Sequence, residues 1–436
     1  MITTDYAANP AAVIIAGGRG TRLGLQDLPK PMAPVLGKPL LQYQIELLAS
    51  SGIRDITIVA GYRADKISDF FGDGEGFGVT IKYRVEDAPL GTAGAVHQLA
   101  GVLRQDFLVL YGDVFVDMDL GSFITWHRAH PSMGSVVVHP NDHPHDSDLV
   151  ACDNAGWIQA FVPKPHPEGL WQRNLVNAAL YLLSPEVFRY IPNDAPSDFA
   201  KDVFPVILAA GKTLGAYSTP EYLKDVGTPE RLASVCAAIS SGKTERRNKR
   251  HPQKAIFLDR DGVINPENGG VFRPQQFSLL PDIAQAIKRI NDSEYLAIVV
   301  TNQPYIAKGQ MSFADLEAVH ACLDTMLGRQ GAYLDGLYFC PHHPEKGWEG
   351  EVPELKLVCD CRKPATGMFT QAARDFNIDL TASWMIGDRL SDIQAGIFAG
   401  CRESFLVGST EPDIPAMQRH FANAAQAITV ILDGAS

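Results

Sequence analysis

The sequence predicts an α/β protein built as two units of similar architecture, and three observations predict it. Two short apolar runs, AAVIIAGG from Ala11 and KAIFLDRDG from Lys254, each pass straight into a loop of unusual chemistry. Behind both, strand-like and helix-like segments alternate, the pattern of mostly parallel sheets covered on both faces. Between them, from Ala238 to Gln253, the polar and basic stretch SSGKTERRNKRHPQ carries no apolar period. It reads as an exposed linker, with a nucleic-acid-binding arm as the alternative; the acidic chain around it and the absence of an aromatic platform favour the linker. The division is therefore a first domain over 1–238, a basic linker over 239–253 and a second domain over 254–436.

In the first half, Leu40–Ser51 has helical apolar spacing, Asp55–Gly61 reads as a strand, Ala64–Phe71 as a helix and Phe107–Gly112 as a buried strand. In the second half, Leu296–Val300, Leu337–Phe339, Trp384–Ile386 and Phe405–Val407 read as short strands between helical stretches. Each unit opens with a central strand whose C-terminal end carries a site, as open α/β sheets do. The halves share architecture but not motifs, so there is no internal repeat.

The 436 residues suffice for two large cores. The chain is 46% hydrophobic and 20% charged, ordinary for a globular protein, and its net charge of −12 argues against a nucleic-acid or anionic-membrane binder. No apolar run approaches the ~20 residues of a membrane span, and MITTDYAANP lacks the features of a signal peptide. A cytoplasmic location is expected; the oligomeric state is not legible. Seven cysteines are an odd number for a disulfide framework. Cys152, Cys236, Cys322 and Cys401 are scattered and read as small buried hydrophobes, whereas Cys340, Cys359 and Cys361 cluster near two histidines.

After the first strand comes Gly17-Gly18-Arg19-Gly20-Thr21-Arg22-Leu23. Glycines let the backbone approach a polyphosphate, loop amides can face its oxygens, and Arg19 and Arg22 offer paired donors. The loop is neither a dinucleotide fingerprint nor a P-loop. Downstream, Lys30 stands between Pro29 and Pro31, so a stiff segment presents its charge. The whole run, GG-x-GTRL followed by PKPM-x-PV-x-GKP, resembles the sugar-1-phosphate nucleotidyltransferases, over nearly all of Ala11–Ala238. By that resemblance Gly17, Gly18, Arg19, Gly20 and Thr21 bind nucleotide, and Pro89–Ala95, with Gly91 and Thr92, lies along the nucleoside. Asp113 and Asp225 hold Mg²⁺, and Asn177 and Lys164 bind the sugar phosphate. Pro163 departs from the Glu-Lys pair common in the family. The reaction joins two anions, a sugar phosphate oxygen and the α-phosphorus, so neutralisation by Arg22, Lys30 and Mg²⁺ matters more than proton transfer.

The first strand of the second unit leads into Asp259-Arg260-Asp261-Gly262, two aspartates near one crevice. One can attack phosphorus while the other carries a proton, with a metal reducing repulsion. Thr301-Asn302-Gln303 offers phosphate donors, Arg362 and Lys363 offer cations, and Asp388 through Asp392 offers carboxylates at another strand end. Together they resemble the haloacid dehalogenase (HAD) superfamily over about Lys254–Val430. The resemblance implies Asp259 as nucleophile and Asp261 as acid and base. It makes Thr301, Asn302, Arg362 and Lys363 substrate contacts. Mg²⁺ then sits on Asp259, Asp388 and the Asp261 carbonyl. Cys340-x-His342 and Cys359-x-Cys361 supply the four soft ligands of a closed structural Zn²⁺ site, which would pin the loop carrying Arg362 and Lys363.

The fold implied is two Rossmann-like domains, an N-terminal nucleotidyltransferase fold and a C-terminal HAD-like fold. The CPHHP…CDCRKP block, with DRDGVIN and TNQ, resembles the heptose 1,7-bisphosphate phosphatase branch. Related histidinol-phosphatases share much of it, and Pro304-Tyr305 stands where the branch usually has Ser-Gly. The first half resembles heptose 1-phosphate guanylyltransferases in DLPKPMAPV and PLGTAGA. A phosphatase that leaves a heptose 1-phosphate feeds such a transferase, so the expectation is a bifunctional enzyme making GDP-heptose from GTP. The alternatives are UTP or another triphosphate with a different sugar, and a non-catalytic scaffold.

Overall fold

A computed structural model describes residues 9–25, 27–153, 155–167, 169–193, 195–408 and 419–434. The first eight residues, read above for a targeting signal, lie outside these, as do 409–418 and 435–436 of the second domain. Among the described residues no helix is long and apolar enough to cross a membrane.

The chain packs as two units. In the first, the strand Ala11–Ala16 lies between two parallel neighbours, Asp55–Ala60 and Phe107–Tyr111, and Thr80–Val85 extends the sheet in parallel. Val13 and Ile14 are completely buried, as a central strand covered on both faces requires. The helix Leu40–Ser50 sets Leu41, Ile45 and Leu48 into the core that Ile14, Ile56 and Leu108 also enter. This sheet is mixed: Val176–Leu183 runs antiparallel to Phe107–Tyr111. The expectation of mostly parallel pairing holds for the strands joined by helices and fails at this one.

The second unit is a sheet of parallel strands. Lys254–Leu258 is central, between Tyr295–Asn302 and Trp384–Gly387, with Gly336–Cys340 and Glu403–Val407 outside them. Ile256 and Leu258 enter one apolar cluster while Ala255 and Phe257 enter another. The strand's alternation thus feeds two helix-covered faces. Register brings the strand ends together, because Leu258 pairs with both Val299 and Ile386.

Two details depart from the domain reading. His139–Leu149 and Lys164–Val176 pack in the second unit, not the first. The cause is a set of contacts to the helix Phe313–Gly328: Arg173 Nε donates to Asp324 Oδ2 at 2.7 Å, and the Gln172 amide donates to Thr325 Oγ1 at 3.0 Å. The stretch expected as an exposed linker is instead partly helical over Lys243–Arg247, with Arg247, Asn248 and Lys249 buried. Asn248 donates to Asp117 at 2.7 Å, and the Lys249 carbonyl accepts from Asn377 at 2.8 Å. Of the scattered cysteines only Cys322 is fully buried; Cys152, Cys236 and Cys401 are half-buried.

Two candidate active sites

In the first unit the glycine loop leaves the end of Ala11–Ala16 and folds back on the lysine segment, the Lys30 amide donating to the Gly18 carbonyl at 3.0 Å. Gly20 has φ 68°, and a Cβ there would press on Lys30 at 3.3 Å, so the turn requires glycine. A cavity of about 460 Å³ opens beside this loop. Gly17, Gly18, Arg19, Lys30, Gly91, Thr92 and Asp113 line it, gathering seven of the expected residues. Gly91 also needs its conformation: φ is 73°, and a Cβ would lie 2.4 Å from the Ser197 carbonyl oxygen. The Thr92 hydroxyl is engaged internally, donating to Asp198 at 2.9 Å and accepting from the Phe199 amide at 3.0 Å.

Lys30 and Asp113 form an ion pair at 2.5 Å. Asp225 reaches the same place through the strand Tyr222–Asp225, which pairs Asp225 with Val114. The Val226 amide then donates to the Asp113 carbonyl at 2.8 Å. Arg231, which the motif reading did not single out, holds Asp225 at 2.5 Å. Two neighbouring carboxylates are hard oxygen donors that suit Mg²⁺, with triphosphate oxygens needed to complete its shell.

The remaining expected residues are not gathered there. Thr21 and Arg22 are exposed on a short turn of helix, and Gly20 does not line the cavity. Asn177 Nδ2 donates to Tyr181 Oη at 3.1 Å, and its carbonyl accepts from the amide of Ala179, a residue at φ 54°. Lys164 belongs to the second unit, where its ammonium donates to the Asp146 carbonyl at 2.7 Å and to its carboxylate at 3.1 Å. Glu86 and Tyr62 line the cavity without having been foreseen. Burial raises the Glu86 carboxyl, partly offset by the Leu90 amide that donates to it at 3.2 Å.

In the second unit Asp259, Thr301 and Asp388 follow or end the three central strands, whose register makes them neighbours. Lys363 Nζ bridges Asp259 Oδ1 at 2.9 Å and Asp392 Oδ1 at 2.7 Å. Asp259, Asp388 and Asp392 place carboxylate oxygens within 4.8 Å of one another. Burial pushes Asp259 up to about 6, against the pull of Lys363; burial and repulsion from Asp259 and Asp392 push Asp388 up to about 7. Asp388 Oδ1 is buried without a hydrogen-bond partner. Gly262, at φ 80°, leaves open a space where a Cβ would meet Asp388 Oδ2 at 2.2 Å. Mutually repelling carboxylates, an unsatisfied oxygen and a glycine cradle fit a divalent cation.

Asp261 stands differently. Its carboxylate turns to the completely buried Arg260 at 2.9 Å and accepts from Asn265 at 2.9 Å and Gln303 at 2.8 Å. Burial works to raise it, but these three partners hold it below the usual carboxylate range. Its side chain is thus outside the metal-binding group, and Asp392 is inside it. Gln303 also donates to Thr301 Oγ1 at 3.0 Å. Asn302 and Lys363 exchange hydrogen bonds at 3.0 and 3.2 Å, fixing the lysine's loop to the strand end. Arg362 donates to the His342 carbonyl at 3.3 Å.

Cys340, His342, Cys359 and Cys361 place their ligand atoms within 4.8 Å of one another. Sγ–Sγ separations of 3.1, 3.4 and 3.6 Å are close to the edges of about 3.8 Å in a tetrahedron with ~2.3 Å metal–sulfur bonds. His343 is turned aside toward the Glu345 carbonyl and Trp348. Three thiols and one imidazole nitrogen fit Zn²⁺.

Converging carboxylates, lysines and glycine loops at the C-terminal ends of parallel strands define an enzyme of phosphorus chemistry in each unit. The nucleotidyl transferase family model matches residues 11–242, and a HAD-hydrolase-like model matches 360–428. The D-glycero-beta-D-manno-heptose-1,7-bisphosphate 7-phosphatase of Escherichia coli K12 is 40% identical over 161 residues, which are 37% of this chain and 82% of that protein. Its Haemophilus ducreyi counterpart is 42% identical over 156 residues, 36% and 83%. HddC from Yersinia pseudotuberculosis, solved with GMP-PN, is 27% identical, covers 53% of this chain and 100% of its own, and has a TM-score of 0.47. The D,D-heptose 1,7-bisphosphate phosphatase of B. bronchiseptica, solved with magnesium and phosphate, is 32% identical over 42% and 99%, with a TM-score of 0.37. The chain belongs to the nucleotidyl transferase family in its first half and to the heptose-bisphosphate phosphatase family of HAD hydrolases in its second. It is an enzyme with a transferase part and a phosphatase part.

Proposed function

We propose that the second unit removes the 7-phosphate of D-glycero-D-manno-heptose 1,7-bisphosphate and that the first unit couples the resulting heptose 1-phosphate to GMP from GTP, giving GDP-heptose and pyrophosphate. The observation that carries this is the pairing of the two sites on one chain, since the product of the first reaction is the nucleophile of the second. Histidinol phosphate has no such relation to a nucleotidyltransferase.

In the phosphatase, Asp259 Oδ attacks phosphorus, the sugar oxygen leaves with a proton, and water then cleaves the aspartyl-phosphate to free phosphate. Asp261, held as an anion by Arg260, is in the form that takes the proton from attacking water. Giving a proton to the leaving sugar oxygen requires it to leave that pair. Lys363 and Thr301 are placed to hold the transferring group. Asp259, Asp388, Asp392 and the Asp261 carbonyl would hold Mg²⁺, which would supply charge neutralisation. Cys340, His342, Cys359 and Cys361 would hold Zn²⁺, which would serve only to fix the loop before Arg362 and Lys363.

In the transferase, a sugar phosphate oxygen attacks the α-phosphorus and pyrophosphate leaves, with Asp113 and Asp225 the residues for Mg²⁺ and Lys30 opposing charge on the departing group. Glu86 supports guanine. A carboxylate in the cavity accepts from two adjacent donors, which guanine offers at N1 and N2 and uracil does not. We expect pyrophosphate release with heptose 1-phosphate, supplied as separate α and β anomers, to be fastest with GTP across a panel of triphosphates. Glu86→Gln should lower kcat/KM for GTP by roughly 10- to 100-fold, the scale of a lost charge-assisted pair. Equal rates with UTP and GTP, unaltered by the substitution, would remove the guanylyl assignment.

A further inference from the structure

The two carboxylates suited to Mg²⁺ in the transferase are each paired with a cation, and only one of these cations has a use so far. Lys30 Nζ meets Asp113 Oδ2 at 2.5 Å, and both residues line the cavity beside the glycine loop. Arg231 Nη1 donates to both oxygens of Asp225, at 2.7 and 2.5 Å. Neither Asp225 nor Arg231 lines that cavity. The second pair nevertheless stands against the first. The strand pairing of Asp225 with Val114, and the Val226 amide's bond to the Asp113 carbonyl at 2.8 Å, fix Asp225 beside Asp113. Gly227 marks where they converge: a Cβ there would stand 2.9 Å from Asp225 Oδ2, 3.8 Å from Arg231 Nη1 and 3.9 Å from Lys30 Nζ. One point thus lies within reach of a carboxylate oxygen and two cationic nitrogens, and the sequence places no side chain on it.

Helix stability does not account for Arg231. It lies in the first turn of the helix Pro229–Ser240, its amide donating to the capping Thr228 hydroxyl at 3.4 Å. A cation in a first turn is opposed by the helix dipole. The reaction, by contrast, has need of it. Two anions must meet, so each requires its own neutralising groups. A triphosphate in the cavity would have Lys30 and Arg19. In-line transfer puts the nucleophile and the leaving group on opposite sides of the α-phosphorus, so the sugar phosphate must come from outside the cavity, where Asp225 and Arg231 stand. Lys164, the cation expected for that group, donates instead to Asp146 in the second unit.

We propose that Arg231 binds the phosphate of the sugar 1-phosphate. Once Asp225 turns to Mg²⁺, its pair with Arg231 opens, and the guanidinium presents its fork of donors to the phosphate oxygens. Until then the pair with Asp225 holds the guanidinium in position. The inference deepens the transferase reading: it rests on the first unit being a sugar-1-phosphate nucleotidyltransferase, and it holds whichever sugar and base are used.

Kinetics and metal binding in the full chain test it together. Arg231→Met should raise KM for heptose 1-phosphate about 10- to 100-fold and leave KM for GTP within about twofold. Arg231→Lys should recover part of the loss, because lysine keeps the charge but not the fork. Mn²⁺ titrated with GTP in the absence of sugar, and followed by electron paramagnetic resonance, should bind Arg231→Met at least as tightly as the native chain, since Asp225 has lost a competitor. An unchanged KM for the sugar phosphate would overturn the proposal. So would a parallel loss of Mn²⁺ and GTP affinity, which would make Arg231 a support for Asp225 alone. Mannose 1-phosphate and glucose 1-phosphate, each with GTP and with UTP, separate this from the heptose and guanylyl assignments. Should the native chain ignore heptose 1-phosphate yet use one of these, and Arg231→Met raise KM for that sugar, the heptose reading fails and the role of Arg231 stands. A native chain that uses no sugar 1-phosphate of the set would overturn both.

Discussion

Asp259→Asn should reduce phosphate release by at least ~1,000-fold while nucleotidyl transfer from added sugar 1-phosphate proceeds at the native rate. The amide is nearly isosteric but a poor nucleophile, so no aspartyl-phosphate forms. It also removes one member of the acidic group that Lys363 and a divalent cation neutralise, leaving Lys363 paired with Asp392 alone. Because each removed carboxylate relieves repulsion, this variant should keep its fold, and a melting temperature no lower than native would separate lost chemistry from lost structure. Loss of both activities would contradict the assignment of separate chemistry to each unit. Release of phosphate at a tenth of the native rate or more would remove Asp259 from the role of nucleophile.

Lys30→Met should have the reverse effect, lowering pyrophosphate release by about 100- to 1,000-fold and sparing phosphate release. Lys30 lies in the cavity wall, its side chain only 12% exposed, so its ammonium acts where water screens little. Methionine keeps most of the stem's packing and deletes the charge that opposes the leaving pyrophosphate. It also strips Asp113 of its ion-pair partner. Measuring kcat and KM for GTP separately distinguishes the two consequences: a charge used mainly in the transition state lowers kcat, whereas one used only to bind raises KM. An unchanged kcat would place Lys30 among simple binding contacts.

Sequence alone marked the strand ends, because a buried parallel strand is a short apolar run and the loop after it is where chemistry collects. It marked Lys30, Asp113, Asp259, Lys363 and the cysteine cluster for the same reason, each lying within a few residues of such an end or in a tight local motif. What escaped depends on pairing between distant residues. Arg231 matters through Asp225, and Gln303 matters because it meets Asp261. Glu86 lies past the end of the strand Thr80–Val85 in a segment without a motif, and only the cavity reveals it. Asp392 stands among the carboxylates expected at that strand end but without a role of its own; its Oδ2 accepts from the Arg389 amide at 3.1 Å while its Oδ1 meets Lys363. Lys164 was expected at the sugar phosphate from local resemblance. The docking of its segment is decided by the Arg173–Asp324 pair, 151 residues apart in sequence, which no local pattern encodes. The linker misread has a similar origin: a basic, aperiodic stretch gives no sign that Asn248 and Lys249 find partners at Asp117 and Asn377.

Under the proposed function, two phosphorus reactions run in sequence on one polypeptide. Mass spectrometry of the products formed from heptose 1,7-bisphosphate, GTP and Mg²⁺ by the purified full chain tests it most directly. GDP-heptose should appear together with equal amounts of phosphate and pyrophosphate, whereas omitting GTP should leave heptose 1-phosphate and phosphate alone. The absence of both free phosphate and a nucleotide sugar from that mixture would contradict it.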